Sequence, residues 1–310
     1  MKRFSFLTAL LLLSPNIAIA ADTAPPAACE LKRAASLDMV VMSNGEVQIP
    51  ITVNGKEIRP IVDTGDIYSG ITSANADALN LRRYVASMEQ VLFGGIPIYE
   101  FVTVDSLKIG PMSGTNLRMM VIPSSALDLS SDGLIGGNLL SLFDIDFDFA
   151  RGKFNMFSPD HCPGKVVYWT NAAFARVPIE VQHDDWHISV PVTLDGKPLV
   201  AVIDTGAYRT SMSMRMAKKL FGIDATATGM KSLGSISINR LAAKPVYRYA
   251  FSGLSFEGVT VQNPDIDIIS DEIYGKDDPP MIIGINVLRQ LHVYIAYQEQ
   301  AIYVTPAEAR

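Results

Sequence analysis

The sequence of 310 residues lacks the short motifs on which several common enzyme chemistries depend. It contains no serine nucleophile elbow, no phosphate-binding loop and no dinucleotide-binding glycine pattern. Histidine is scarce, at four residues. His183 and His187 have the spacing of two metal ligands on one helix face, but their segment is typical of a turn that enters a strand. We therefore predict no metal site and no cofactor.

Positive charge is in the minority, because 26 Lys and Arg face 32 Asp and Glu, for a net charge of −6. An acidic balance of this kind disfavours nucleic acid or an anionic membrane as a partner. Long apolar runs are missing apart from residues 1–20. There, Lys2 and Arg3 precede an apolar run and Ala20 ends a small-residue motif, the pattern of a secretory signal peptide. We expect a secreted or periplasmic chain with no membrane span after signal removal.

Cysteine is scarcer still, with Cys29 and Cys162 alone in the chain. Export would bring both thiols into an oxidising compartment. Their pairing would close a long loop, which is worth up to about 4–5 kcal/mol in the chain-entropy model. The alternative is a lipidated Cys29, but the stretch "ADTAPPAA" separates that residue from the apolar run. We predict a disulfide between the two.

One internal repeat stands out in this sequence. The tripeptide Asp-Thr-Gly occurs twice, 204 − 63 = 141 residues apart. At that offset 49–72 aligns with 190–213 without a gap, and seven of the 24 columns are identical. A second alignment, of 135–157 with 283–305, shares Ile, Gly, Asn and Leu in matching columns. The pattern indicates a tandem duplication.

Strand signals dominate both halves. Asn-Gly at 54–55 and Asp-Gly at 195–196 each separate two apolar runs, which predicts β-hairpins. The stretch "DIDFDF" at 144–149 predicts a strand with one face in water. Helical patterns are few, and the candidates at 73–81 and 213–221 each begin with a Ser cap.

The chain therefore divides into two similar units. The expected boundaries are a signal peptide at 1–20, a flexible Ala- and Pro-rich arm at 21–38, a first lobe at 39–160, a linker at 161–173 and a second lobe at 174–310. The predicted fold class is all-β, with two pseudo-symmetric β-barrel lobes and a few short helices.

Each Asp-Thr-Gly follows an apolar strand, so each Asp carboxylate leaves its strand at a tight turn. If the halves fold as a symmetric pair, Asp63 and Asp204 can meet on the pseudo-dyad. Two carboxyls about 3 Å apart cannot both ionise, and they hold one proton between them. One then acts as base and the other as acid on a water that attacks an amide carbonyl. These two residues are the predicted catalytic pair.

Two such turns, each followed after several dozen residues by two apolar residues and a glycine, resemble the aspartic peptidases. The triplets are Leu134-Ile135-Gly136 and Ile282-Ile283-Gly284. From about 39 to 305 the chain resembles the retropepsin-like bacterial members, fused in tandem so that one chain has the two lobes of a pepsin. The resemblance implies acid-protease lobes, cleavage of a peptide or unfolded protein without a cofactor, and a monomer.

The resemblance also implies roles for the residues beside the catalytic pair. Thr64 and Thr205 would hydrogen-bond across the dyad to the opposite turn. Gly65 and Gly206 would let the two turns approach, and the triplets would thread behind them. A flap would close over bound peptide: hairpins at 91–101 and 230–240 supply the candidate flap glycines Gly94, Gly95 and Gly234, although ordinary hairpins have the same pattern.

One departure from the family pattern is Asp66, since the position after the tripeptide usually carries a small Ala or Ser, as Ala207 does. A third carboxylate beside the dyad would raise its apparent pKa, whereas an Asp66 that points to solvent would have no effect. Two further hypotheses stay open. The fold could bind a peptide or protein with a silent dyad, or each lobe could pair with a second copy of the chain.

The disulfide prediction can be checked on exported protein. Mass analysis after alkylation under non-reducing conditions is expected to find no free thiol, because Cys29 and Cys162 protect each other. Two alkylated cysteines in folded, exported material would contradict the pairing.

Overall fold

The computed structural model describes residues 30–85, 91–93, 96–123, 131–181, 186–236, 243–274 and 279–307. The strands of the first half are β1 Arg33–Asp38, β2 Val40–Val41, β3 Val47–Gln48, β4 Ile51–Val53, β5 Lys56–Ile58, β6 Ile61–Val62, β7 Gly70–Thr72, β8 Arg83–Val85, β9 Val91–Phe93, β10 Ile96–Ile98, β11 Glu100–Ile109, β12 Met112–Ile122, β13 Gly133–Ile135, β14 Asp144–Asp148 and β15 Lys153–Phe157. Those of the second half are β16 Ala175–Pro178, β17 Glu180–Val181, β18 Ile188–Leu194, β19 Lys197–Ile203, β20 Thr210–Ser213, β21 Lys231–Ile236, β22 Lys244–Ala250, β23 Gly253–Phe256, β24 Val259–Gln262, β25 Asp265–Ile269, β26 Met281–Ile283, β27 Leu291–Ala296 and β28 Ala301–Pro306. The helices are α1 Ser73–Ala78, α2 Gly137–Leu140, α3 Met214–Phe221, α4 Asp271–Tyr274 and α5 Ile285–Leu288.

The hairpins follow from local turn chemistry. Asn54 and Gly55 have φ of 47° and 83°, and Asp195 and Gly196 have φ of 44° and 77°. Positive φ at both central residues defines the tight turn that matches the twist of the flanking strands. The two predicted hairpins, β4–β5 and β18–β19, therefore form at these turns.

Each half builds its own ten-stranded sheet, and the two strand orders correspond. In the first half β6, β13 and β7 lie side by side, with β13 parallel to β6 and antiparallel to β7. In the second half β19, β26 and β20 repeat that arrangement. The predicted all-β fold with two pseudo-symmetric lobes is confirmed.

Of the two predicted helices, the first differs from the structure in detail and the second agrees with it. The predicted Ser cap of α1 is wrong: Thr72 is the N-cap, and its Oγ1 accepts the Asn75 amide at 3.3 Å. This helix ends at Ala78 rather than 81, and Asn80 then has a φ of 52°, a usual helix terminator. Ser213 does cap α3. No helix among the described residues is long and apolar enough to cross a membrane.

A six-stranded sheet in the order β1-β15-β14-β27-β28-β16 joins the two lobes. The arm predicted to be flexible at 21–38 is structured over its last residues, because β1 pairs along β15. The predicted boundary at 160 separates two halves of the sequence, but both halves contribute strands to this sheet, since β14 of the first half pairs with β27 of the second. The predicted linker packs on the sheet through Val166, which is fully buried.

The acidic face of β14, expected in water, is buried instead. Asp144 and Asp146 are 0 % exposed. Asp146 accepts hydrogen bonds from the His292 ring at 2.5 Å, the Tyr168 hydroxyl at 2.7 Å and the Asn155 amide at 2.7 Å. A carboxylate can be buried when donors of this kind surround it. The linker supplies part of the cover, because its Tyr168 lies over the strand.

Asp146→Ala is expected to lower the free energy of unfolding by about 3–5 kcal/mol, because the buried His292 and Asn155 and the half-covered Tyr168 hydroxyl lose their acceptor. Urea denaturation followed by circular dichroism measures the change. The control is Asp38→Ala at the edge of the same sheet, where an exposed Asp38 pairs with Lys153 at 2.5 Å. That variant should match the wild type. Equal stability of both variants would contradict the importance of the buried network.

Candidate active site

Each catalytic candidate is held by the triplet that threads behind it. The Asp63 amide donates to the Ile135 carbonyl and the Asp204 amide to the Ile283 carbonyl, both at 3.0 Å. The glycine that ends each triplet has no room for a side chain. A Cβ on Gly284 would lie 2.5 Å from the Ala207 carbonyl oxygen. The triplets therefore set the position of both Asp turns.

Four hydrogen bonds made by Thr64 and Thr205, in two reciprocal pairs, join the two turns. The amide of each residue donates to the hydroxyl of the other at 3.1 Å. The Thr64 hydroxyl donates to the Ile203 carbonyl at 2.8 Å, and the Thr205 hydroxyl to the Val62 carbonyl at 2.7 Å. Both Thr side chains are buried. The lobes are thus locked to each other at the base of the cleft.

This lock brings the two carboxyls together. A Cβ on Gly65 would lie 2.3 Å from the Asp204 Cγ, and one on Gly206 would lie 2.3 Å from an Asp63 oxygen. Each carboxyl therefore lies against the bare glycine of the opposite turn. The two carboxyls hydrogen-bond to each other.

The two carboxyls have different surroundings. Asp63 accepts one backbone amide, that of Gly65 at 2.9 Å. Asp204 accepts two through one oxygen, from Gly206 at 2.8 Å and Ala207 at 2.9 Å. Burial raises the pKa of both, and the negative charges of Asp204 and Asp66 raise the pKa of Asp63 further, well above its ordinary value. The shared proton therefore belongs on Asp63 and the charge on Asp204.

Asp66 lies beside this pair as a third carboxyl, and not in open solvent. It is only partly exposed, and its Oδ1 accepts the Tyr68 amide at 3.2 Å. Burial, with a contribution from the Asp204 charge, raises the pKa of Asp66 to about 7. Of the two alternatives raised by the sequence, the geometry favours an Asp66 that acts on the dyad.

A second layer of polar groups, whose role sequence reasoning missed, supports the turns. Asn138 Oδ1 accepts the Ser69 amide and hydroxyl, both at 2.8 Å, and the Ser69 hydroxyl accepts the Gly136 amide at 3.0 Å. In the second lobe Asn286 Oδ1 accepts the Thr210 amide at 2.7 Å. The signal was present, because the two Asn residues share a column of the repeat.

His187 is the other functional candidate that sequence reasoning missed. Its spacing from His183 is that of two metal ligands, which the turn-like sequence around it disfavours, whereas its Nε2 lies 2.9 Å from the Gly65 carbonyl oxygen in the opposite lobe. His183 lies outside the described residues. The contact crosses the lobes and joins residues 122 apart, so no sequence pattern reveals it.

The candidate flap glycines have different positions. Gly94 and Gly95 lie outside the described residues, between the paired strands β9 and β10. Gly234 lies within β21, with a φ of 97° at an irregular register. It therefore lies at a bulge and not at the end of the hairpin. Their role as flaps stays a prediction.

The cysteine pairing also stays a prediction, because Cys29 lies outside the described residues.

Comparison with protein-family models gives a match to a family described as aspartyl protease, over residues 49–139 and 190–287. The two matched ranges cover more than half of the chain, and each contains one Asp turn and its triplet. A search of curated proteins gives no significant match.

Thr205→Val is expected to lower the free energy of unfolding by about 2–4 kcal/mol, because it leaves the buried Thr64 amide and Val62 carbonyl without partners. Thr205→Ser keeps the hydroxyl and should lose no more than about 1.5 kcal/mol for the missing methyl group. Urea denaturation compares them. A loss in Thr205→Val no larger than that in Thr205→Ser would contradict the importance of the hydrogen bonds at this junction.

Proposed function

Because the chain belongs to the aspartyl protease family, we propose that it is an aspartic endopeptidase in which Asp63 and Asp204 act on one water molecule. The observation that carries this proposal is the asymmetry of the dyad, with two amides on Asp204 and one on Asp63. A pair with one proton and one charge has both an acid and a base ready at the same pH.

In the proposed reaction the Asp204 carboxylate takes a proton from the water as the water oxygen bonds to the amide carbon. The carbonyl oxygen takes the proton of Asp63. In the second step the proton on Asp204 passes to the amide nitrogen as the carbon–nitrogen bond breaks, and Asp63 recovers a proton from a hydroxyl of the intermediate. The dyad ends as it began, and no covalent enzyme intermediate forms.

We propose a peptide or unfolded protein as substrate, lying extended across the cleft. A cavity of about 630 Å³ in the first lobe supports this, since it borders the candidate flap hairpin and could take a substrate side chain. It is lined by Ser73, Arg83, Val85, Pro97, Ile98, Tyr99, Glu100, Val121 and Pro123. The mostly apolar lining favours an apolar side chain.

We further propose that the enzyme acts as an exported monomer. The signal-like pattern at 1–20 supports export, and the pairing of Asp63 with Asp204 within one chain supports a monomer. The main alternative is a fold that binds peptide with a silent dyad.

Asp63→Asn and Asp204→Asn are each expected to remove nearly all hydrolysis, and the double variant should lose little more than either one. Residues that act as one unit have non-additive effects. Cleavage of an unfolded peptide between about pH 3 and pH 7 measures this. A wild type that cleaves nothing in that range, and that binds no pepstatin-like mimic of the transition state, would contradict the proposal and favour the silent module.

Asp66→Ala is expected to move the alkaline limb of the pH–rate profile to lower pH. The Asp66 charge raises the pKa of Asp63, so its removal lets the shared proton leave at lower pH. Asp105→Ala, at an exposed position of β11, is the matched control and should leave the profile unchanged. An unmoved limb in both variants would show that Asp66 does not act on the dyad.

A further inference from the structure

A short segment of the second lobe reaches across to the first lobe at the active site. His187, just before β18, donates its Nε2 hydrogen to the Gly65 carbonyl at 2.9 Å. Trp186 next to it has a φ of 57°, which is rare for a bulky residue. A Cβ on Gly137 would lie 2.4 Å from the Trp186 Cβ. The segment is therefore packed closely against α2 and the Asp63 turn.

The pseudo-symmetry identifies the counterpart of His187. Gln48 lies opposite Ile61 in the first lobe, as Ser189 lies opposite Val202 in the second, so the offset of 141 holds in the strand register. His187 therefore corresponds to Glu46. The two lobes differ at both positions of this contact. His187 of the second lobe faces the turn of the first lobe, which carries Asp66. At the corresponding positions Glu46 replaces His187 in the first lobe, and Ala207 replaces Asp66 in the turn of the second lobe.

Charged groups of both lobes meet beside Asp66. Among the described residues, those that act most on Asp66 are Asp63 on its own turn, Asp204 on the opposite turn and His187. Helix α2, which also packs here, has no charged side chain. A positive charge on His187 lowers the pKa of both Asp66 and Asp204. Three carboxyls and one imidazole therefore interact with one another at this point of the active site.

We propose that His187 is a positioning residue of the active site, which holds the Asp63 turn from the opposite lobe and offsets the charge of Asp66 beside the dyad. The expected effect of His187 on the reaction rate rests on the proposed function. Its effect on the ionisation of Asp66 does not. A positive charge on His187 favours the dyad with one ionised carboxyl, because it lowers the pKa of Asp204. It thereby extends activity toward lower pH.

The test separates the charge from the hydrogen bond. His187→Gln keeps a side-chain amide that can donate to the Gly65 carbonyl but removes the charge. Carbon-13 NMR of the Asp carboxyls, with Asp66 assigned by Asp66→Asn, reports the pair without any need for activity. The midpoint of Asp66 is expected to move up by about half a pH unit or more, since a neighbouring cation favours ionisation.

The acid limb of the pH–rate profile should move to higher pH in the same variant, for the same reason. His187→Ala, which removes the hydrogen bond as well, should also lower kcat/KM at the optimum pH by about fivefold. The matched control is Lys197→Gln, which removes an exposed positive charge at the far end of the β18–β19 hairpin. It should move neither the Asp66 midpoint nor the profile.

An unchanged Asp66 midpoint in His187→Gln would overturn the inference, even in an active enzyme. An equal shift in Lys197→Gln would also overturn it, because the effect would then belong to net charge. If the wild type hydrolyses no peptide but His187→Gln still moves the Asp66 midpoint, the proposed function is wrong and the action of His187 on Asp66 is still supported.

Discussion

The reciprocal bonding of Thr64 and Thr205 is the constraint on which the rest of the structure depends. Each hydroxyl accepts an amide and donates to a carbonyl of the other lobe, so the two turns have one relative position in which all four bonds form. In that position each carboxyl lies against a glycine of the opposite turn. Any side chain there would force the turns apart, which would leave buried polar groups without partners.

The two lobes are similar in fold, but their two catalytic candidates, Asp63 and Asp204, have different surroundings. A fully symmetric dyad would have two equivalent carboxyls, whereas this chain distinguishes them by an additional amide on Asp204 and by the acid Asp66 on the other side. Duplication makes this possible, because the two copies of the turn can change independently. The His187 contact belongs to the same set of differences, since the first lobe has Glu46 at the corresponding position and His187 faces the turn that carries the additional acid.

The internal repeat made much of the fold and site predictable. Two copies of one turn predicted the two lobes, Asp63 with Asp204, and the triplets behind them. Contacts between distant segments that the repeat does not relate were not predictable. His187 and Gly65 are 122 residues apart, and an alternating strand such as β14 has the same sequence pattern whether water or a packed linker covers its polar face. The N-cap of α1 is a smaller error of prediction. Thr72 and Ser73 are neighbours that can both cap a helix, and the sequence does not show which of them does.

The central claim is that one chain holds one complete dyad, formed by Asp63 and Asp204 across its two lobes. Calorimetric titration of the mature protein with a statine-containing peptide, beside its mass in solution, tests this most directly. We predict one binding site per chain in a monomer, because a hydroxyl that mimics the attacked carbonyl needs both carboxyls. One site for every two chains in a dimer, or no binding at any pH from about 3 to 7, would contradict it.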